Sequence, residues 1–398
     1  MSKKLIWILI ILVLLGVLAV GIVVLTQGDG PPSYQASIGK KGSQMGQFNW
    51  PCGVAADPSG NIYVADTGNG RIQRFTPEGK LIFVFGTTGS DHVQFHEAMR
   101  LAVDRESNLW VSDTGNHRLQ KFRITANGTK FIAQVGQLGN RAGEFSHPIG
   151  IAFDNQNNMW VADSRNHRIQ KFGPDGSVLL MLGEQGTDLG KFNEPWGVAT
   201  DNQGNLIVAD KGNHRIQRFT KDGQLLNAWG LHGKKDGELD QPTDVIVDLD
   251  QNVIVVDSGN NRLQKFSPQG TYMYRWGKKG DMAGQFEQPQ QAAQGPDGTI
   301  YVADSKNNRV CSFQPRTVNP FDSSQDVKVP GRPVPAPTAT STDTRIEPGG
   351  ATPGSVQEET PVPEASPDAA PSPSPEVGGE EGPLGEPSPQ EDPQRSRL

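Results

Sequence analysis

A short pattern of apolar and polar residues recurs six times along this 398-residue chain. Each copy approximates Val-Ala-Asp-x-x-Asn-x-Arg-Ile/Leu-Gln-Lys/Arg-Phe, and the copies begin at Val64, Val111, Val161, Val208, Val255 and Val302. Successive copies are separated by 47, 50, 47, 47 and 47 residues, a period typical of stacked supersecondary units. The chain is therefore expected to contain a repeat domain.

Within one unit, residues 195–230, short segments rich in Val, Ile and Leu alternate with turns rich in Asp, Asn and Gly. This alternation predicts a four-stranded antiparallel meander. One such sheet cannot bury both of its faces, whereas six copies around an axis bury each face against the next sheet. The sequence therefore predicts an all-β fold, a six-bladed β-propeller of four-stranded antiparallel blades.

The sixth unit is one strand short, because it ends after residues 309–313. Residues 34–39 resemble the missing strand, because residues 34–48 follow the same pattern as residues 272–286. We expect residues 34–39 to complete the last blade and so to close the ring.

The six copies resemble the NHL repeat, and Asn-His-Arg occurs at residues 116–118, 166–168 and 213–215. The resemblance covers roughly residues 34–315. It implies a six-bladed propeller that acts as a binding platform for protein, RNA or a small ligand. In some relatives the repeats follow a zinc-binding ubiquitin-ligase module, but the two cysteines here, Cys52 and Cys311, are too few for one. We expect these cysteines to be separate buried thiols.

The ends of the chain differ in composition from the repeats. Residues 5–25 form an unbroken apolar run, preceded by Lys3 and Lys4, which favours an uncleaved signal anchor over a cleaved signal peptide. Residues 317–398 hold 17 of the 30 prolines, and 5 Lys/Arg against 14 Asp/Glu, which is typical of disorder. The predicted organisation is a cytoplasmic stub (1–4), a transmembrane helix (5–26), a linker (27–33), the propeller (34–315) and a disordered tail (316–398).

An Asp and an Arg flank the turn between the second and third strands of every blade. Because the pair is present in all six copies, we interpret it as a structural charge-assisted hydrogen bond, with the intervening Asn in an Asx-type or left-handed conformation. The pairs are Asp66/Arg71, Asp113/Arg118, Asp163/Arg168, Asp210/Arg215, Asp257/Arg262 and Asp304/Arg309.

Functional residues are expected where the blades differ. The loop entering each first strand, about a dozen residues long, shares one face with the turns between second and third strands; we call this the loop-rich face. At the mouth of the axial channel on this face, the candidate ligand-binding residues are Met99, Arg100, Trp196, Asp244, Gln290 and Gln291. The alternative is that these side chains pair across the channel. His92 and His96, in the entry loop of blade two, are expected to be solvated rather than to bind a metal ion.

The predicted function is non-catalytic binding of a protein or small ligand by a membrane-anchored, extracytoplasmic propeller without cofactor or metal. The first alternative is a propeller enzyme of the lyase or lactonase type acting through Arg100 and Asp244. Amidating lyases with similar propellers place zinc-binding histidines where this chain has Cys52, Met99, Ile149, Trp196, Thr243 and Gln290, and none of these is His. The second alternative is binding of RNA or an acidic polymer by lysines in the entry loops, although nucleic acid is not expected outside the cytoplasm. These lysines are Lys40, Lys41, Lys234, Lys235, Lys278 and Lys279.

Overall fold

The computed structural model describes residues 30–126 and 128–316. These residues form six four-stranded antiparallel sheets, each of which is one blade of a β-propeller. The predicted transmembrane helix (5–26) and most of the predicted disordered tail lie outside the described residues. Within the described ranges, no helix combines the length and the apolar character needed to cross a bilayer.

Every blade has the same order of strands from the axis outward. Blade one consists of Pro51–Ala56, Ile62–Asp66, Arg71–Phe75 and Leu81–Phe85; blade two of Ala98–Val103, Asn108–Asp113, Arg118–Thr125 and Gly128–Val135; blade three of Pro148–Phe153, Met159–Asp163, Arg168–Phe172 and Val178–Leu182. Blade four consists of Pro195–Thr200, Leu206–Asp210, Arg215–Phe219 and Leu225–Trp229; blade five of Pro242–Val247, Val253–Asp257, Arg262–Phe266 and Tyr272–Trp276; blade six of Pro289–Gln294, Ile300–Asp304, Arg309–Gln314 and Ser33–Ile38.

The strand Ser33–Ile38 closes the ring. It pairs antiparallel with Arg309–Gln314, with Ser37 opposite Cys311 and Ile38 opposite Val310. The segment that the sequence assigned to this role, 34–39, overlaps that strand. The propeller therefore joins the beginning of its chain to the end within one blade.

The hydrophobic core is divided among the six junctions between blades. Each junction holds one cluster of buried side chains contributed by both neighbours; Trp160 and Ile169 of blade three, for example, share a cluster with Phe192 and Val198 of blade four. Alternating strand residues supply these clusters, because successive side chains point to opposite faces of a sheet. The apolar residue three positions before each first strand completes the cluster and is fully buried; these residues are Phe48, Phe95, Phe145, Phe192, Leu239 and Phe286.

The entry loops are ordered by local backbone pairing. In blade two Thr87–Thr88 pairs parallel with Gln94–Phe95, and single parallel bridges such as Lys41 to Phe48 occupy the equivalent place in the other five loops. Each loop is thus a compact turn whose tip projects from the loop-rich face.

Candidate functional site

The repeated Asp binds both the turn beside it and the entry loop. In blade one Asp66 is fully buried, and its Oδ2 accepts hydrogen bonds from Arg71 Nε at 2.7 Å, Asn69 Nδ2 at 2.8 Å and Gln73 Nε2 at 3.0 Å. Its Oδ1 accepts the backbone N–H of Asn49 in the entry loop at 2.7 Å. All six Asp–Arg pairs are formed, with Nε–Oδ2 distances between 2.6 and 2.8 Å. The network fastens the loop-rich face to the sheet.

The residue with a left-handed backbone in each turn is the one that follows the Asn of the repeat, not the Asn itself. Residues 67–69 form a 3₁₀ turn, and Gly70 follows it at φ 61°. The Asn69 amide instead donates to Asp66 and to the carbonyl of Gly42. Of the two conformations expected for the Asn, Asx-type and left-handed, the left-handed one was therefore wrong, because the Asn amide is needed inside the hydrogen-bond network while the next residue reverses the chain.

These left-handed residues also connect neighbouring blades. His117 Nδ1 accepts the backbone N–H of His147 in the next entry loop at 3.2 Å, and His167 and His214 do the same for Glu194 and Gln241, both at 3.1 Å. At the next two junctions Asn261 and Asn308 accept through Oδ1, from Gln288 at 2.9 Å and Trp50 at 3.0 Å. We call these five contacts the inter-blade latches.

The junction between blades one and two has Gly70 where the others have His or Asn. A Cβ atom at Gly70 would lie 2.3 Å from Thr88 Oγ1 and 2.9 Å from the Thr88 backbone nitrogen. The close approach of this entry loop therefore requires glycine and leaves the junction without a side-chain latch.

Arg100 crosses the axis of the ring. Its side chain is fully buried; Nη1 donates to Met99 O at 3.0 Å, and Nη2 donates to Gln290 O at 2.8 Å and to Thr243 O at 3.1 Å. These carbonyl oxygens belong to first strands, whose inner edges face the axis and have no neighbouring strand. Burial lowers the pKa of Arg100, with the nearby Asp244 opposing this effect.

Gln291 and Asp244 pair with further backbone groups at the axis. Gln291 Oε1 accepts the N–H groups of Val54 at 3.0 Å and Leu101 at 3.2 Å, and its Nε2 donates to Leu101 O at 3.0 Å. Asp244 Oδ2 accepts the N–H of Ala292 at 3.0 Å. Burial raises the pKa of Asp244 to about 7, and the positive charge of Arg100 limits the rise. Together with Arg100, these side chains form what we call the axial plug.

The remaining channel candidates lie beside the plug. Trp196 is half-buried, and Lys211 Nζ lies 3.5 Å from the centroid of its ring, in the geometry of a cation–π contact. Met99 is also half-buried, whereas Gln290 is 8% exposed and its Oε1 has no hydrogen-bond partner. The structure thus brings the six candidates together, but it places Arg100, Asp244 and Gln291 inside the ring, in the arrangement that the alternative interpretation described. Their role in binding a ligand stays a prediction.

A cavity of about 650 Å³ follows the axis from Asp244 and Gln291 to the turns after the first strands, on the face opposite the loops. Its wall includes Val54, Leu101 and Ile151. Sequence comparison of the blades missed this cavity, because its apolar wall positions are nearly the same in every blade.

The loop lysines are exposed and lie in the entry loops of blades five, six and one, which are consecutive in the ring. His92 and His96 are also exposed, and His92 stacks on Phe131 with the ring centroids 4.2 Å apart. The two cysteines are free and fully buried, which confirms the expectation of separate thiols. Burial raises the pKa of Cys311 to about 12.

Comparison with known proteins identifies the repeat. Residues 48–75, 145–172, 192–219 and 286–313 match the family model of the NHL repeat. The chain therefore contains NHL repeats. Each matched segment begins at the buried Phe of an entry loop and ends at the Phe of a third strand, so it contains the Asp–Asn–Arg network described above. The Gln of that network is present in the first three segments, and Cys311 takes its place in the fourth. The NHL pattern thus coincides with the residues that hold the loop-rich face together.

Similar proteins match this chain over different extents. The protein brain tumor of Drosophila melanogaster is 47% identical over 53 residues, which are 13% of this chain and 5% of that protein. A streptogramin B lyase structure superposes with a TM-score of 0.51 at 14% identity, covering 70% of this chain and 98% of the lyase. The structure of a putative gluconolactonase superposes with a TM-score of 0.52 at 15% identity, covering 71% of this chain and 94% of the other. At these identities the two structures establish the propeller fold alone.

Proposed function

We propose that this NHL propeller is a non-catalytic binding platform that recognises a protein partner with exposed apolar side chains of its entry loops. Five of the six entry loops carry a large apolar side chain that is exposed: Met45, Leu138, Leu189, Leu231 and Met282. Exposed apolar side chains that are grouped on one face are typical of interaction surfaces, and methionine adapts to varied partners. This group of side chains is the observation that carries the proposal.

Hydrogen bonds from the repeat Arg hold the loops that present these side chains. Arg71 Nη2 donates to the carbonyl oxygens of Gln44 at 2.7 Å and Gln47 at 3.1 Å, on either side of the Met45 tip. Equivalent bonds run from Arg309 to Met282 and Gln285 at 3.0 and 2.9 Å. Binding would therefore cost little loop entropy, which favours affinity. The neighbouring lysines of blades five, six and one would favour a partner with acidic groups at its rim.

A variant of the full-length protein tests the platform. Met45→Ser combined with Leu231→Ser and Met282→Ser removes three exposed apolar side chains of the entry loops without touching the hydrogen-bond network. The wild-type protein is first used to capture an envelope protein, which is then purified and titrated against the wild type and the triple variant. We expect the triple variant to bind it at least tenfold more weakly than the wild type does. Leu226→Ser, a comparably exposed change on an outer strand, serves as the control. Equal affinity of the triple variant and the wild type would refute the platform.

We further propose that residues 5–26 anchor the protein in a membrane with the propeller outside the cytoplasm. The apolar run and the two preceding lysines support this orientation. Protease added to intact cells should digest the propeller if it lies outside the cytoplasm. Protection of the propeller until the cells are lysed would place it in the cytoplasm.

A second candidate function is catalysis in the axial cavity. The observation that favours it is Asp244, a buried carboxyl group with a pKa of about 7 at the edge of that cavity, because such a group can exchange a proton near neutral pH. Turnover of lactone substrates by the wild type, lost in Asp244→Asn, would support this function over the platform.

A further inference from the structure

Three side chains of the kinds that bind transition metals converge where blade four meets blade five. His214 Nδ1 lies 3.3 Å from Asp240 Oδ1, and His232 Nε2 lies 3.6 Å from the same oxygen. The three ligand atoms lie within 4.8 Å of one another. In a tetrahedral zinc site, bonds of about 2.0–2.1 Å separate neighbouring ligand atoms by about 3.3 Å. The two distances to Asp240 thus approach those of a zinc-binding set.

This combination of residues occurs at one of the six junctions. At each junction the left-handed residue of one blade faces the second and tenth positions of the next entry loop. The other five sets are Gly70 with Thr88 and His96, His117 with Leu138 and Ser146, His167 with Gln185 and Asn193, Asn261 with Lys279 and Glu287, and Asn308 with Lys41 and Asn49. None of these offers three imidazole or carboxylate groups, so the repeat itself does not account for the cluster.

Each of the three residues belongs to a segment that the fold already holds in place. His214 has a left-handed backbone, φ 54°, at the end of its turn. His232 forms the parallel bridge with Leu239 at the base of the entry loop. The N–H of Asp240 donates to Asp257 Oδ1 at 2.7 Å, and its carbonyl accepts the N–H of Gly259 at 2.9 Å. Little ordering would therefore be needed to bring the ligands around an ion.

The hydrogen bond that a metal ion would replace can be lost with little change in free energy. His214 Nδ1 accepts the N–H of Gln241 at 3.1 Å, and because Gln241 is exposed, water can accept that hydrogen bond instead. Acceptance of this bond also requires a neutral, unprotonated Nδ1, which is the form of imidazole that binds metals.

We propose that His214, His232 and Asp240 bind a zinc-like divalent metal ion that bridges blades four and five on the loop-rich face. Three protein ligands leave one coordination position open, and the His232 side chain, 68% exposed, places that position at the surface. Water, or an imidazole or carboxylate group of a bound molecule, would fill it. The site is independent of the platform function, because metal binding is measured without any partner.

Equilibrium dialysis of the full-length protein against Zn²⁺ tests the site, after removal of metal with a chelator and with no polyhistidine tag present. We expect one Zn²⁺ ion per chain, a higher melting temperature with Zn²⁺, and at least tenfold weaker binding in His232→Gln. His92→Gln removes another exposed loop histidine and should bind as the wild type does. Failure of the wild type to bind one ion, or equal loss in both variants, would overturn the proposal.

A gain of binding provides a second test that does not depend on the stability of a loss variant. Gln185→His combined with Asn193→Asp reproduces the same three ligands around His167, at the junction of blades three and four. We expect this double variant to bind two Zn²⁺ ions per chain. With Co²⁺, the visible absorption of a four-coordinate site should appear in the wild type and vanish in His232→Gln. Unchanged absorption in that variant would contradict the assignment.

Discussion

At the scale of the residue, Arg100 shows how a charge can be accommodated in the centre of a β-propeller. Its guanidinium group donates to three carbonyl oxygens at 2.8–3.1 Å, and all three belong to strand edges that face the axis. A buried arginine is tolerated only when hydrogen bonds and a nearby opposite charge compensate its desolvation. The side chain is therefore expected to brace blades two, five and six.

Replacing this brace should destabilise the ring. Arg100→Ala leaves the carbonyl groups of Thr243 and Gln290 buried without this donor and Asp244 without its positive neighbour, which should reduce the free energy of unfolding by about 3–5 kcal/mol. The midpoint of urea denaturation measures the change, with the exposed Lys235→Ala as control. A midpoint equal to that of the wild type would show that the axial plug contributes no stability, and would return Arg100 to the ligand-binding candidates.

Asp244 gives the stability of the protein a dependence on pH of predictable sign. Its pKa is raised to about 7 in the folded state, from about 3.9 in an unfolded chain. Between these values the folded protein binds one proton more, so this group's contribution is fully favourable below about pH 4 and is lost as the pH rises to about 7. Asp244→Asn should remove that loss. The difference in stability between variant and wild type should grow in favour of the variant from pH 4 to 7; a constant difference would contradict the raised pKa.

At the scale of the element, the inter-blade latches show how a repeated turn can hold two blades together. A left-handed residue ends each 3₁₀ turn, and its side chain accepts the backbone N–H of the next entry loop at five junctions. Histidine and asparagine serve equally as acceptors in this chain, but only histidine changes charge near neutral pH. The latches formed by His117 and His214, whose pKa values burial lowers, are therefore expected to weaken in acid, whereas the Asn latches of blades five and six are not.

His117 is the residue on which to measure this sensitivity. Burial and the positive charge of Arg165 lower its pKa below the ordinary value of about 6.5, so the folded state favours the neutral ring. Its stabilising contribution is complete above that value and is lost as the pH falls through the lowered folded-state pKa. In His117→Asn the latch should survive acid, so the variant should lose less stability than the wild type between pH 7 and 5. Parallel pH profiles of the melting temperature would refute the latch.

The strands and turns can be predicted well from the sequence, because the pattern of strands, turns and Asp–Arg pairs occurs six times. Alternating apolar residues and Asp/Asn/Gly turns set the strands, and the incomplete sixth unit indicated the closing strand. The axial plug and the latches were harder to anticipate. Whether Arg100 faces solvent or the strand edges depends on how six first strands converge, and the acceptor of the His147 N–H lies in another blade. Neither relation is visible in a pattern that describes one blade at a time.

At the scale of the whole molecule, closure of the ring depends on a single strand that is distant in sequence from its blade. Ser33–Ile38 covers the third strand of blade six, and the ring of Tyr34 packs edge-on against Phe313 with the centroids 5.7 Å apart. Without this strand, Phe313 and Val310, each almost fully buried, would face solvent. The first and last blades would then be linked by contacts such as the latch from Asn308 to Trp50, but not by a shared sheet.

A disulfide across this strand pair tests the closure directly. Ser37 lies opposite Cys311 in the register, so Ser37→Cys should place two thiols at a distance suited to a disulfide once the strands adjust slightly. Because burial raises the pKa of Cys311 to about 12, its thiol is protonated at neutral pH and the bond should form only with an added oxidant. The oxidised variant should melt several degrees higher than the reduced one, since the bond joins two residues that are separated in sequence by nearly the whole propeller.

Gln35→Cys serves as the control. Gln35 lies at the irregularity in the pairing and opposite no residue, so this variant should not form the bond. Cross-linking in Gln35→Cys but not in Ser37→Cys would mean that the closing strand is in a different register.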